Sequence, residues 1–217
     1  MTNDMTRGRI LPQLISFTIP LVLGNLFQLT YNAADSMIVG RYLGGQALAA
    51  VGTAGPIMNL AILFISGMCM GAGILMSTQY GAKQQDVLER QISTTLLSGL
   101  VFSFFVTLSM MVLAKPVLTL IRVPEEILDS ACGYLRIIFT GFLFTFAYNF
   151  FSSTLRALGD SKASLYFLVI SSVFNIAGDL LFVAVFRWGV NGSALATVLS
   201  QMICCLCCMT VSYTHLT

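Results

Sequence analysis

The chain is 217 residues long, 57% hydrophobic and only 9% charged, with a net charge of +2 and a mean hydropathy of +0.86. Soluble domains carry roughly 25% charged residues, so this chain cannot cover itself with charge and water is not its main solvent. Its basic residues are scattered rather than gathered on one face, which excludes nucleic acid as a partner and leaves the lipid bilayer as the expected surroundings.

The opening MTNDMTRGR (1–9) is polar and reads as a short cytoplasmic tail with Arg7 and Arg9. The apolar run behind it is too long for a secretory signal and has no small-residue cleavage site. Uncharged runs then cover 10–34, 42–82, 91–114, 137–155, 163–178 and 188–217. A bilayer core of roughly 30 Å needs about 20 apolar residues of helix, and in lipid the backbone must satisfy its own hydrogen bonds. The runs predict an all-α polytopic membrane protein, its membrane region spanning 10–211. Six transmembrane helices are expected near 11–40, 57–80, 91–114, 132–155, 163–187 and 190–211. The second run exceeds one span but falls short of two. Its glycines and Pro56 read as an entry loop before a helix. The fifth span is complete only if it continues through Asp179 to Phe186.

The connections are short. In KPVLTLIRVPEEILDS (115–130), PEEI reads as a first helical turn with acids at its positive end. RALGDSK (156–162) reads as a tight turn in which Gly159 stops the fourth helix. Basic residues barely favour a cytoplasmic N-terminus. Arg7, Arg9, Lys83, Arg90, Arg156 and Lys162 fall on the N-terminal side, against Arg41, Lys115, Arg122, Arg136 and Arg187. Cys204, Cys205, Cys207 and Cys208 read as small apolar filler, because adjacent helical residues point about 100° apart and do not converge on one metal ion. No metal or other cofactor is expected. SYTHLT (212–217), with the only histidine, His215, reads as a non-native tail.

Two acids lie inside spans: Asp35 in TYNAADSMIVG (30–40) and Asp179 in FNIAGDLLF (174–182). Insertion scales put a carboxylate at a helix centre at about 2.5–3.5 kcal/mol. Their helices run in the same direction across the membrane. Asp35 precedes Arg41 by roughly 9 Å and Asp179 precedes Arg187 by roughly 12 Å of helix rise, which puts both acids in one layer if neither helix is broken. Tyr31 lies four residues before Asp35 and Asn175 four before Asp179, so each acid has polar company on its own face. Thr197 of the sixth helix can add a hydroxyl. Two carboxylates in low dielectric cannot both stay ionised cheaply, so the group could exchange one proton or hold a small cation by its oxygens. The competing reading makes the acids mere hydrogen-bonded glue. Pro20 removes a backbone donor and kinks the first helix, either as a movable bend or as a static one.

In order and spacing, five stretches resemble one family: IP (19–20), DSMIVGRYLGGQALAAVG (35–52), RALGDSK (156–162), NIAGDLLF (175–182) and GVNGSALATVLSQ (189–201). The chain resembles the N-terminal half of MATE (multidrug and toxin extrusion) transporters, particularly the DinF-like branch. The resemblance implies one six-helix lobe of a twelve-helix exporter that exchanges cationic, amphipathic compounds for protons or sodium. The cation site it implies comprises Asp35, Tyr31, Asn175, Asp179 and Thr197, with Pro20 as the bending proline. It also implies a missing C-terminal lobe, and a lone lobe is expected to be inactive. Two other functions compete: a flippase for a lipid-linked or polysaccharide precursor, which would line its cavity with several basic residues, and a non-transporting structural membrane subunit. An intramembrane enzyme is not expected, since the sequence offers no nucleophile–base pair.

Overall fold

The computed structural model describes residues 10–216, with side chains as far as Met209. The expected tail at 1–9 and the side chain of His215 lie outside that range. The described chain is entirely helical between short corners: α1 (Ile10–Leu43), α2 (Gly45–Gly81), α3 (Gln85–Leu120), α4 (Glu125–Thr140), α5 (Phe142–Ala157), α6 (Ser161–Asp179), a π-helical segment (Leu180–Val185) and α7 (Val190–Leu216). Five helices are long and apolar enough to cross a membrane, and a sixth span arises if α4 and α5 count together. The fold is that of an all-α polytopic membrane protein.

Several boundaries differ from the sequence expectation. The glycine-rich stretch read as an entry loop is helix from Gly45 onward, with Pro56 inside it. Backbone hydrogen bonding has no substitute in lipid, and that demand outweighs the weak helix propensity of glycine. The third helix extends beyond 91–114 at both ends and runs through Pro116. The expected fourth helix is two rods bent by 48° around Gly141. At the bend α7 comes close: a side chain on Gly141 would lie 2.6 Å from Val198, so that approach requires glycine. The last helix continues past 211 to Leu216.

Other local readings hold. Acids Glu125 and Glu126 occupy the first turn of α4 behind Pro124. Gly159 adopts φ +89° just after α5, and Asp160 caps α6 by accepting from the Ala163 N–H at 3.0 Å. Three corners instead pass through basic residues with left-handed backbone: Lys83 (φ 57°), Arg122 (φ 58°) and Arg187 (φ 55°).

The helices form two groups. In one, α4 and α5 pack against α2 and α3 around Phe139, Phe142, Phe146 and Phe150, all fully buried. In the other, α1 packs chiefly on α6, and α6 on α7; α7 also packs against α4 and α5, where its Val190 and Ala194 join the first core. Large apolar side chains such as Leu60, Phe104 and Val112 stay mostly exposed, as suits faces solvated by lipid. Cys204 and Cys208 are buried beside Leu155 and Phe167 and form no disulfide.

Candidate functional site

The site begins with how closely α6 and α7 approach. A side chain at Gly178 would lie 2.9 Å from Ala196 Cβ, and small residues at such a crossing let helix backbones come together. The crossing carries Asn175 one turn before Gly178 and Thr197 one residue after Ala196. Asn175 Nδ2 donates to Thr197 Oγ1 at 3.2 Å. Asn175 is 3% exposed and Asp179 is 0% exposed.

α1 closes the group from the other side. Asp35 is half-buried and accepts a 2.8 Å hydrogen bond from Ser193 Oγ of α7. Its carboxylate and the Ser193 hydroxyl both act on Asp179 within electrostatic reach. Yet both carboxylate oxygens of Asp179, and Oδ1 of Asn175, lack a hydrogen-bond donor of normal geometry. Buried polar atoms are nearly always paired. Three neighbouring oxygens without a donor form an acceptor-only set, which is satisfied by a proton on a carboxylate or by a small hard cation that takes oxygen ligands.

A cavity of about 620 Å³ lies next to this group, between α1, α2, α5 and α6. Tyr31, one turn before Asp35, lines it, as do Pro20, Gln28, Asn149 and Arg156. Its walls are rich in neutral donors. Ser153 Oγ donates to the Cys69 carbonyl at 2.8 Å, and Ser66 Oγ to Asn149 Oδ1 at 3.4 Å. Of the six residues singled out in the sequence, Asp35, Asp179, Asn175 and Thr197 are brought together. Tyr31 stands on the cavity side of that group. Pro20 lies lower on the same wall, buried within an uninterrupted α1. Among the described residues there is no cluster of three or more His, Cys, Asp or Glu side chains able to hold a metal ion.

A family model described as MatE matches residues 20–181. The chain belongs to the MatE family. It is 38% identical over 200 residues to the probable multidrug resistance protein YpnP of Bacillus subtilis, across 91% of this chain and 44% of that protein. It is 32% identical over 206 residues to the probable multidrug resistance protein YoeA of the same organism, across 93% of this chain and 44% of that one. An outward-facing multidrug resistance MATE family transporter of the MOP superfamily superposes with a TM-score of 0.88 at 25% identity, covering 95% of this chain and 46% of the other. The MatE chain thus spans less than half the length of the relatives it matches and has the fold of one half-sized lobe. The family is one of secondary transporters, and the chain is accordingly not an enzyme.

Two features of the MatE lobe were not read from its sequence. Ser193 was quoted only as part of a motif, although a serine four residues before Thr197 shares its helix face. In RALGDSK, Arg156 reads as part of a turn. In fact Arg156 belongs to the last turn of α5 and lines the cavity, whereas Arg136 is exposed. Helix rise places Asp179 relative to Arg187 only along an unbroken α-helix. A π-helical segment intervenes, and Arg187 itself has left-handed backbone, so that ruler does not apply on α6.

Proposed function

We propose that this lobe couples cation movement to the export of cationic or amphipathic compounds, as the N-terminal lobe of an antiporter of the DinF-like branch. The observation that carries the proposal is the acceptor-only group: Asp179 Oδ1 and Oδ2 and Asn175 Oδ1, buried without hydrogen-bond partners, beside the Asp35 carboxylate of α1. A proton or a sodium ion satisfies that group, and oxygen ligands serve both. When the cation binds, the repulsion between Asp35 and Asp179 falls and α1 can draw closer to α6 and α7. Tyr31 carries that change to the cavity wall, and Pro20 gives α1 a position at which to bend. The N-terminus is assigned to the cytoplasm, and the C-terminal lobe that completes the central cavity is the expected partner.

The test uses the full-length protein that carries this lobe, reconstituted in liposomes. Efflux of a cationic dye is driven by an imposed proton or sodium gradient and compared with Asp35→Asn and Asp179→Asn. Both variants should lose gradient-driven efflux while still inserting and folding. Export at the original rate in both would overturn the coupling role and favour the structural-glue reading. The flippase reading would gain if efflux of the dye were absent from the unmodified protein.

A further inference from the structure

The cavity holds a cation that the carboxylate group does not use. Arg156 Nη1 donates to Ser152 Oγ at 3.0 Å and to Ser164 Oγ at 3.3 Å. Both serines are buried, 2% and 7% exposed, and their hydroxyls are hydrogen-bonded to each other. Among the described residues no carboxylate comes within ion-pair distance of Arg156, and the ion pair they contain, Lys115 with Asp129, lies at the surface. A guanidinium carries five donor hydrogens, and here its named protein partners are neutral hydroxyls. Arg156 is half-buried, and a partly desolvated cation with no counter-charge favours an anionic ligand. It lines the cavity, whose other walls offer hydroxyls and amides but no acid.

The rest of the cavity suits an amphiphile. Phe17, Leu21, Leu165 and Leu168 supply apolar surface in the same space, and its volume of about 620 Å³ lies within the range of roughly 300–1,000 Å³ typical of small-molecule sites. Ser164 precedes Asp179 by fifteen residues on α6, roughly 22 Å of helix rise, so the guanidinium and the carboxylate pair are well separated along that helix.

We propose that Arg156, oriented by Ser152 and Ser164, binds the anionic head of an amphipathic molecule, a phosphate or carboxylate, whose apolar body fills the cavity. The inference rests on reading the lobe as part of an exporter and extends the substrate class from cationic compounds to those bearing an anionic group. The planar fork of a guanidinium matches two oxygens of a phosphate or carboxylate, which a lysine ammonium does not reproduce.

The experiment is calorimetric titration of the full-length protein in a neutral detergent. Four probes are used: naphthyl phosphate, dihexanoyl phosphatidic acid, inorganic phosphate, and naphthylmethyl-trimethylammonium as the cationic control. At least one phosphate probe should bind, and Arg156→Gln should weaken it about tenfold or more, as expected for loss of a charge-assisted hydrogen bond. The cationic control should be unchanged. Arg156→Lys guards against a folding defect and should fall between the two. Phosphatidic acid as the strongest binder identifies a lipid head group as the source and naphthyl phosphate an amphipathic solute, whereas inorganic phosphate binding as tightly as either overturns the amphipathic ligand. The proposal is overturned if no phosphate probe binds, if Arg156→Gln binds them as well as the unmodified protein, or if the cationic control weakens equally. Asp35→Asn and Asp179→Asn should keep phosphate binding, so failure of cation coupling and failure of this site are separate results.

Discussion

The two helix groups of this lobe bury their side chains on opposite terms. Around α4 and α5, four phenylalanines fill the interior, and most hydroxyls there are matched: Thr107 Oγ1 donates to the Phe139 carbonyl at 2.9 Å, and Thr154 Oγ1 to the Phe150 carbonyl at 2.9 Å. Ser103 Oγ and Gln79 Oε1 are exceptions, but both are neutral. In the α1–α6–α7 group the unmatched atoms include both oxygens of a fully buried carboxylate. Without lipid-driven hydrophobic association, helices in a bilayer cohere by packing and hydrogen bonds. The first group is closely packed and nearly all its hydroxyls are matched, and it is expected to be the stiffer of the two. The second keeps buried oxygens without donors, and on the proposed function it is the group expected to respond to a ligand.

The contrast can be broken most forcefully at its aromatic side. Phe146→Ala should lower stability by about 3 kcal/mol or more, the usual scale for emptying a buried aromatic site, read as a drop in the thermal unfolding temperature in detergent. Gly99→Ala attacks the same contact from α3. A Cβ there would fall 1.9 Å from Cζ of Phe146, and overpacking of that kind costs about 1–3 kcal/mol. On the polar side the sign should reverse. Asp179→Asn should leave the unfolding temperature unchanged or raise it when no coupling cation is supplied, because it replaces a buried ionisable group whose oxygens have no donor. A cation at ten times its Kd should stabilise the unmodified lobe by roughly 1.4 kcal/mol and Asp179→Asn hardly at all, measured by unfolding across a sodium series and a pH series. The smallest effect is expected from Ser193→Ala, which removes one hydrogen bond to Asp35 and should cost about 1 kcal/mol. A large stability loss at Asp179 with none at Phe146 would invert the assignment of stiffer and responsive group.

The candidate site was legible where chemistry clashed with surroundings. An acid in a lipid-length apolar run stands out at once, and helical spacing then links Asn175 to Asp179 and Tyr31 to Asp35. What could not be read depended on partners far away in the chain. Gly141 is glycine because Val198 of α7 occupies the space a side chain would need, and nothing in TGFLF announces that neighbour. Ser193 became visible only through a contact with Asp35, 158 residues away. Arg156 was misplaced because Gly159 marks the turn so clearly that the preceding arginine looked like part of it. The helical start of α2 at Gly45 was missed for a different reason: glycine and proline are weighed by habits formed in water, where an unpaired backbone can turn to solvent.

The three left-handed basic corners have a consequence for where the lobe sits. α2, with 37 residues, is about 55 Å long, well beyond a hydrocarbon core of roughly 30 Å. Hydrophobic length alone therefore leaves such a rod free to slide along the bilayer normal. Lys83, Arg122 and Arg187 each accept a backbone conformation that costs a non-glycine residue about 1–2 kcal/mol and thereby hold a cation where a glycine would have been comfortable. Cationic side chains held at such corners are suited to the border with water, so exchanging all three for glycine is expected to loosen the depth at which the lobe sits.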